Sequence, residues 1–345
     1  MKKLFVTVGV ATACALAGTF AYAAENLNLY ISSGYISPDL VKQFEKESGI
    51  KVNIDNYDSD ETLLAKLKQG GAGYDIAVAG QATVSVLARE GLIEKVQTRD
   101  LPGYNNILPQ FRKPEWDPTG SYSIPYLWGT TNFAVDKGTY AGDIDSFKVL
   151  FEPPPQLQGK INMLLLEEDM IGLASIYLGV PFCSENTQDL QKVQQLLIQQ
   201  KPFIRTYNGK AGAVREAMVS GEIAMSSIYS GTSLRTRELK KTIQYAYPKE
   251  GSLAWVDNVV VPKGAPNLGN AKQFLTFLLK PQVAAMNTNF LKYQNPVEGS
   301  AKFVDTGLQQ LPELNPPATS KLHFLKSCSE SAIRLHDRLW TNLLK

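Results

Sequence analysis

The sequence predicts an α/β protein with mostly parallel sheets and enough chain for two domains. Three observations carry this reading. Residues 26–90 alternate strand and helix, the rhythm of parallel-sheet units. The 345 residues are 44% hydrophobic and 20% charged, too apolar for disorder. The length favours two domains over one, and neither an internal repeat nor a low-complexity linker divides the chain otherwise.

The elements follow in order. Asn26–Ile31 alternates polar and apolar residues as a first strand. Ser37 is a good helix cap, and Pro38 suits the first turn. The helix Asp39–Ser48 carries Leu40, Val41 and Phe44 on one face, and Gly49 stops it. Ile50–Tyr57 alternates again as a second strand. Ser59-Asp60-Glu61 opens a second helix that runs to Gly70-Gly71. Asp75–Ala79 is an apolar third strand, and residues 83–90 are helical. Farther on, Ser123–Trp128, Asn132–Val135, Lys160–Leu166, Glu222–Tyr229 and Leu253–Val261 predict strands. Met170–Leu178, Gln188–Gln200, Ala211–Ser220, Ala271–Leu279 and Pro281–Asn289 predict helices, and the 321–345 tail carries an amphipathic one.

The opening MKKLFVTVGVATACALAGTFAYA has a basic start, an apolar middle and a small-x-small end at Ala21-Tyr22-Ala23. It reads as a signal peptide cleaved after Ala23, which predicts export to the periplasm. Lipidation of Cys14 is an alternative, although the residues before it lack the usual Leu. Without Lys2 and Lys3 the chain has 33 bases against 33 acids. That balance removes a global basic field and argues against nucleic-acid partners. Cys183 and Cys328 remain after cleavage; they permit one disulfide, or two buried thiols. With only His323 and His336 and no CxxC pair, neither a metal site nor a Ser-His-Asp triad is predicted, and no cofactor motif is present. Ligands of parallel sheets bind at the carboxyl ends of strands. Here those loops are Ser32–Tyr35, Gly80–Thr83, Glu167–Asp169, Tyr229–Thr232 and Trp255–Asp257.

Five segments resemble one family. They are LYISSGYISPDLVKQFEKESGIKVNIDNYDSDETLLAKLKQGGAGYDIAVA, YSIPYLWGTTNFAVD, SGEIAMSSIYSGTS, PKEGSLAWVDNVVVPKGAPN and AKQFLTFLLKPQVAAMNTNFLKYQNPV. All are similar to the spermidine/putrescine-binding periplasmic proteins of ABC transporters. The resemblance implies a two-lobed venus-flytrap fold, each lobe a mostly parallel sheet flanked by helices, with ligand held between hinged lobes. It implies a first lobe of 24–132 with 257–305 and a second of 133–256 with 306–345, after the 1–23 leader. It also implies a monomer that presents its ligand to a membrane permease and carries out no catalysis.

A linear polyamine is a row of ammonium groups joined by methylenes. Carboxylates suit its ends, and aromatic faces suit both chain and charge. The residues matching the family's ligand site are Ser33, Tyr35, Asp169, Tyr229, Trp255, Asp257 and Tyr293. Trp255 and Asp257 supply a wall and the central carboxylate, Tyr293 and Tyr229 further walls, and Tyr35 and Ser33 the first loop. Asp169 supplies a second carboxylate at a helix start, with Glu167 and Glu168 as substitutes after a register slip. There are departures. Ser32 stands where the family places Trp, Gly80-Gln81-Ala82-Thr83 replaces a Ser- and Tyr-bearing loop, and Leu166 replaces an acid. Lys326 aligns with a Gln and would repel a cation if it faced the cleft. These differences leave another small amine, an amino acid or a vitamin as alternative ligands. A sensor role and, more remotely, an exported enzyme are alternative functions.

Overall fold

The computed structural model describes residues 25–70 and 73–345. The leader reading and Cys14 lie outside the described residues. The first third holds strands β1 (Asn26–Ser32), β2 (Lys51–Tyr57) and β3 (Ile76–Gly80). Helices α1 (Pro38–Ser48), α2 (Asp60–Lys68) and α3 (Gln81–Arg89) alternate with them. The local signals act as read. The Ser37 hydroxyl accepts from the Leu40 amide, Pro38 begins α1, and Gly49 ends it at φ 75°. Ser59 caps α2 by accepting from Thr62.

The middle contains β4 (Ser123–Asp136), α4 (Lys148–Phe151), β5 (Ile161–Met163), α5 (Glu167–Leu178) and α6 (Thr187–Gln200). Then come β6 (Ile204–Tyr207), α7 (Ala211–Ser220), β7 (Met225–Tyr229), α8 (Ser230–Leu239), β8 (Ile243–Tyr245) and β9 (Ser252–Val260). The chain finishes with α9 (Leu268–Leu278), α10 (Pro281–Leu291), β10 (Leu322–Phe324) and α11 (Glu330–Leu344).

Sheet order is β2-β1-β3-β9-β4-β7-β5-β6, with β8 joined to β4 and β10 to β9. β1 pairs in parallel with β2 and β3, and β5 with β6 and β7. The two long strands in the middle, β4 and β9, pair antiparallel with each other and with their neighbours β7 and β3. They also divide the core. Ile124, Leu127, Val256 and Val259 join one cluster with Leu29, Phe44 and Phe274, whereas Phe133, Val135 and Leu253 join another with Phe147, Met163 and Leu197. Each strand passes from one core to the other within a few residues, and the molecule is two-lobed.

Several readings change, among them the loops read at Gly80–Thr83 and Glu167–Asp169, which open α3 and α5. The two strands expected over 123–135 are one strand, because Gly129, Thr130 and Thr131 stay paired with Trp255, Ala254 and Leu253. The strand expected over 160–166 ends at Met163; the Leu164 amide leaves the ladder for the Ser227 hydroxyl, and Leu165 and Leu166 turn out to solvent. Trp255–Asp257 is not a loop but the middle of β9. Tyr229–Thr232 is the start of α8, whose Ser- and Thr-rich opening conceals a helix.

The two cysteines form a disulfide, with Cα atoms 5.2 Å apart. It ties the segment after β10 to the loop after α5. That segment also meets the start of α3, through Gln81 Nε2 donating to the Leu325 carbonyl at 3.1 Å.

Candidate functional site

The site is built where β9 crosses between the lobes. Side chains two apart on a strand share a face. Trp255 and Asp257 are the two half-buried positions of β9, between buried neighbours, so they present indole and carboxylate side by side to one space. Asp257 pairs with Gly80 of β3 on one side and Leu127 of β4 on the other.

The loop after β1 reaches Asp257. Gly34 turns it at φ 68°, a conformation that disfavours other side chains. The Tyr35 hydroxyl then donates to Asp257 Oδ2 at 2.5 Å. The loop is held from behind: the Tyr126 hydroxyl donates to the Tyr35 carbonyl at 2.9 Å and accepts from Asn287 Nδ2 at 2.8 Å. Ser33, exposed in the same loop, makes no hydrogen bond to this group among the described residues.

Aromatic rings continue from there. Tyr35 and Tyr293 meet at 6.3 Å between centroids, Tyr293 and Trp255 at 5.1 Å, and Trp255 and Tyr229 at 6.0 Å, all edge to face. Two glycines make room for this wall. A Cβ on Gly129, the residue opposite Trp255, would lie 2.6 Å from the indole; one on Gly231 would lie 2.5 Å from the Tyr293 ring.

At the far end the Tyr229 hydroxyl donates to Asp169 Oδ2 at 2.8 Å, on the first turn of α5. The row thus runs from Asp257 to Asp169 with four rings between them. Six of the seven residues expected from sequence come together.

Sequence reasoning missed Asp60. It looked like an ordinary acid at a helix start, where it offsets the dipole. Its position after β2, on the same sheet edge as the loops after β1 and β3, was the signal available. Asp60 Oδ2 accepts from the Gly80 amide at 3.0 Å, beside Asp257.

The acids are held in their uncharged direction. Burial pushes Asp257 up to about 7, against the Tyr35 hydrogen bond, and the Asp60 charge adds to it. Burial pushes Asp169 to about 6, partly offset by the Tyr229 and Thr131 hydroxyls. Glu168 opens to water but is hemmed in by protein; lost solvation and the charges of Asp169, Asp60, Glu61 and Glu167 bring it to about 7. Glu167 reaches about 7 through burial, with Asp337 and Glu61 contributing. Burial also raises Asp60. Among the described residues no lysine or arginine forms an ion pair with any of these acids or with Glu61. Lys326 forms an ion pair with Glu115 at 3.3 Å. Carboxylates crowded without a base are what a cation would relieve.

Gln81 does not act as a ligand group. Both ends of its amide are spent on backbone, at Val256 N and Leu325 O, so the altered second loop braces β9.

Comparison with known proteins agrees with this architecture. The bacterial extracellular solute-binding protein family matches residues 39–316. The putrescine-binding periplasmic protein of Pseudomonas aeruginosa is 30% identical over 99% of both chains. The spermidine/putrescine-binding periplasmic protein of Escherichia coli is 31% identical over 92% of this chain and 91% of its own. The crystal structure of the spermidine/putrescine ABC transporter substrate-binding protein of Streptococcus pneumoniae, solved with calcium and HEPES, superposes with a TM-score of 0.83 at 25% identity. That match covers 93% of this chain and 98% of that one. The chain belongs to the bacterial extracellular solute-binding proteins, a family that binds solutes rather than transforming them.

Proposed function

We propose that this protein is the periplasmic substrate-binding component of an ABC transporter and captures a linear polyamine, putrescine or spermidine, between its lobes. The observation that carries the reading is the row of rings bounded by Asp257 and Asp169, neither of which pairs with a lysine or arginine among the described residues. Ring faces accept methylenes and ammonium charge alike, at about 0.5–2 kcal/mol per cation contact. The two carboxylates take charge-assisted hydrogen bonds from the ends and set the length. An amino acid would bring its own carboxylate among these crowded acids, which disfavours that alternative. The names of the relatives support the polyamine reading, the periplasmic location and the transport context.

We assign the first lobe to 24–132 with 257–305 and the second to 133–256 with 306–345. The change of core along β4 and β9 supports this division. A monomer that hands its ligand to a membrane permease, after cleavage of the leader at Ala23, completes the proposal.

Calorimetric titration of protein stripped of ligand by unfolding and refolding tests it. Putrescine or spermidine should bind at one site and glutamate should not. Asp257→Asn should weaken polyamine binding by about 2–5 kcal/mol, as losing one partner of a buried charged contact does. Binding of a neutral or acidic solute, with no heat from any polyamine, would reject the reading.

A further inference from the structure

Gly80 ends β3 at φ −61° and ψ 154°, a conformation open to any residue, so its backbone does not require glycine. What a side chain there would meet is Asp60: a Cβ would lie 3.0 Å from Asp60 Oδ2, and 3.9 Å from Asp257 Oδ1. The missing side chain is what lets Asp60 lie against β3 and bring its carboxylate up beside that of Asp257. Asp257 Oδ2 is already taken by Tyr35, and Oδ1 is the Asp257 oxygen that lies, like Asp60 Oδ2, within 4 Å of the Gly80 Cβ position. Asp60 Oδ2 is held by the Gly80 amide, which fixes the second carboxylate without neutralising it.

We propose that Asp60 is a specificity-determining residue of the ligand slot, the second carboxylate of a paired anchor that takes one cationic end of the ligand together with Asp257. The proposal rests on the polyamine reading and deepens it. A primary ammonium carries three N–H donors in a tetrahedral arrangement, enough to reach both carboxylates at once. The Asp257 end thus carries a pair of carboxylates rather than one, and the slot favours ligands that put a full charge beside Asp257 over solutes with a neutral polar end. The chief competing role for Asp60 is structural: its carboxylate caps the start of α3, next to Gly80. The two roles separate cleanly, because Asn retains an acceptor for the Gly80 amide but carries no charge.

The test is calorimetric titration of putrescine into ligand-free protein at pH 8, with Asp60→Asn and Gly80→Ser alongside the unsubstituted chain and a thermal melt of each. The expected result is an affinity loss of tenfold or more in Asp60→Asn, with the melting temperature of the ligand-free protein unchanged or raised. Gly80→Ser, whose new Cβ displaces the Asp60 carboxylate, should show a comparable loss. Putrescine affinity retained by Asp60→Asn would overturn the paired anchor and leave Asp60 a helix cap. Absence of putrescine binding to the unsubstituted chain would overturn the polyamine reading and this inference with it.

Discussion

Asp257 sets the behaviour of the site at the scale of single residues. Its folded pKa of about 7 lies well above the ordinary carboxylate range because burial and the Asp60 charge outweigh the Tyr35 hydrogen bond. An acid raised in this way is ionised at a cost in the folded state, and the cost disappears as pH falls and the proton is taken up. The ligand-free protein should therefore gain stability between pH 8 and pH 6, read as a rising melting temperature. Cation affinity should run the other way, since the ligand needs the ionised acid. It should fall by up to about tenfold per pH unit per carboxylate below pH 7. A calorimetric affinity that is flat from pH 8 to 5.5 would contradict this account. The residues legible in the sequence were those whose chemistry is odd for mere packing, such as an acid two places from an indole in a strand. Asp60 was illegible because an acid after a helix-capping serine has a sufficient local explanation, and its approach to Asp257 depends on a glycine twenty positions later.

At the scale of elements, the site is a consequence of how β9, β4 and α8 are backed. Gly129 of β4 and Gly231 of α8 are the floor beneath Trp255 and Tyr293. Gly129→Ala and Gly231→Ala should tilt these rings out of line, weakening polyamine binding by about 1–2 kcal/mol through lost ring contacts. Calorimetry would read this loss, and unchanged affinity in both variants would remove the rings from the slot. Most long elements were legible because periodicity and caps act locally, as at Ser37, Pro38 and Gly49. The short strands β6, β8 and β10 were not, since each is three or four residues long and exists through its partner. Continuity of β4 across Gly129 was also hidden, because the ladder to β9 supplies what the local sequence lacks.

At the scale of the whole molecule, β4 and β9 run from one core to the other, and the segment after β10 adds a further long-range tie. That segment is secured to the loop after α5 by the Cys183–Cys328 disulfide and touches the start of α3 through Gln81. The sequence permitted this bridge but gave no geometry for it, as 145 residues separate the cysteines. The fold class was legible from the strand–helix rhythm and the family resemblance together. Acids from separate parts of the chain stand near one another, with Asp60 and Glu61 among the charges that raise Glu168. The most direct test is a crystal structure of the protein grown with spermidine. The ligand should be threaded along Tyr35, Tyr293, Trp255 and Tyr229, with one ammonium against Asp257 and another against Asp169. Spermidine bound outside this row, or a slot that excludes it at saturating concentration, would show that the rings and the two acids are not the ligand site.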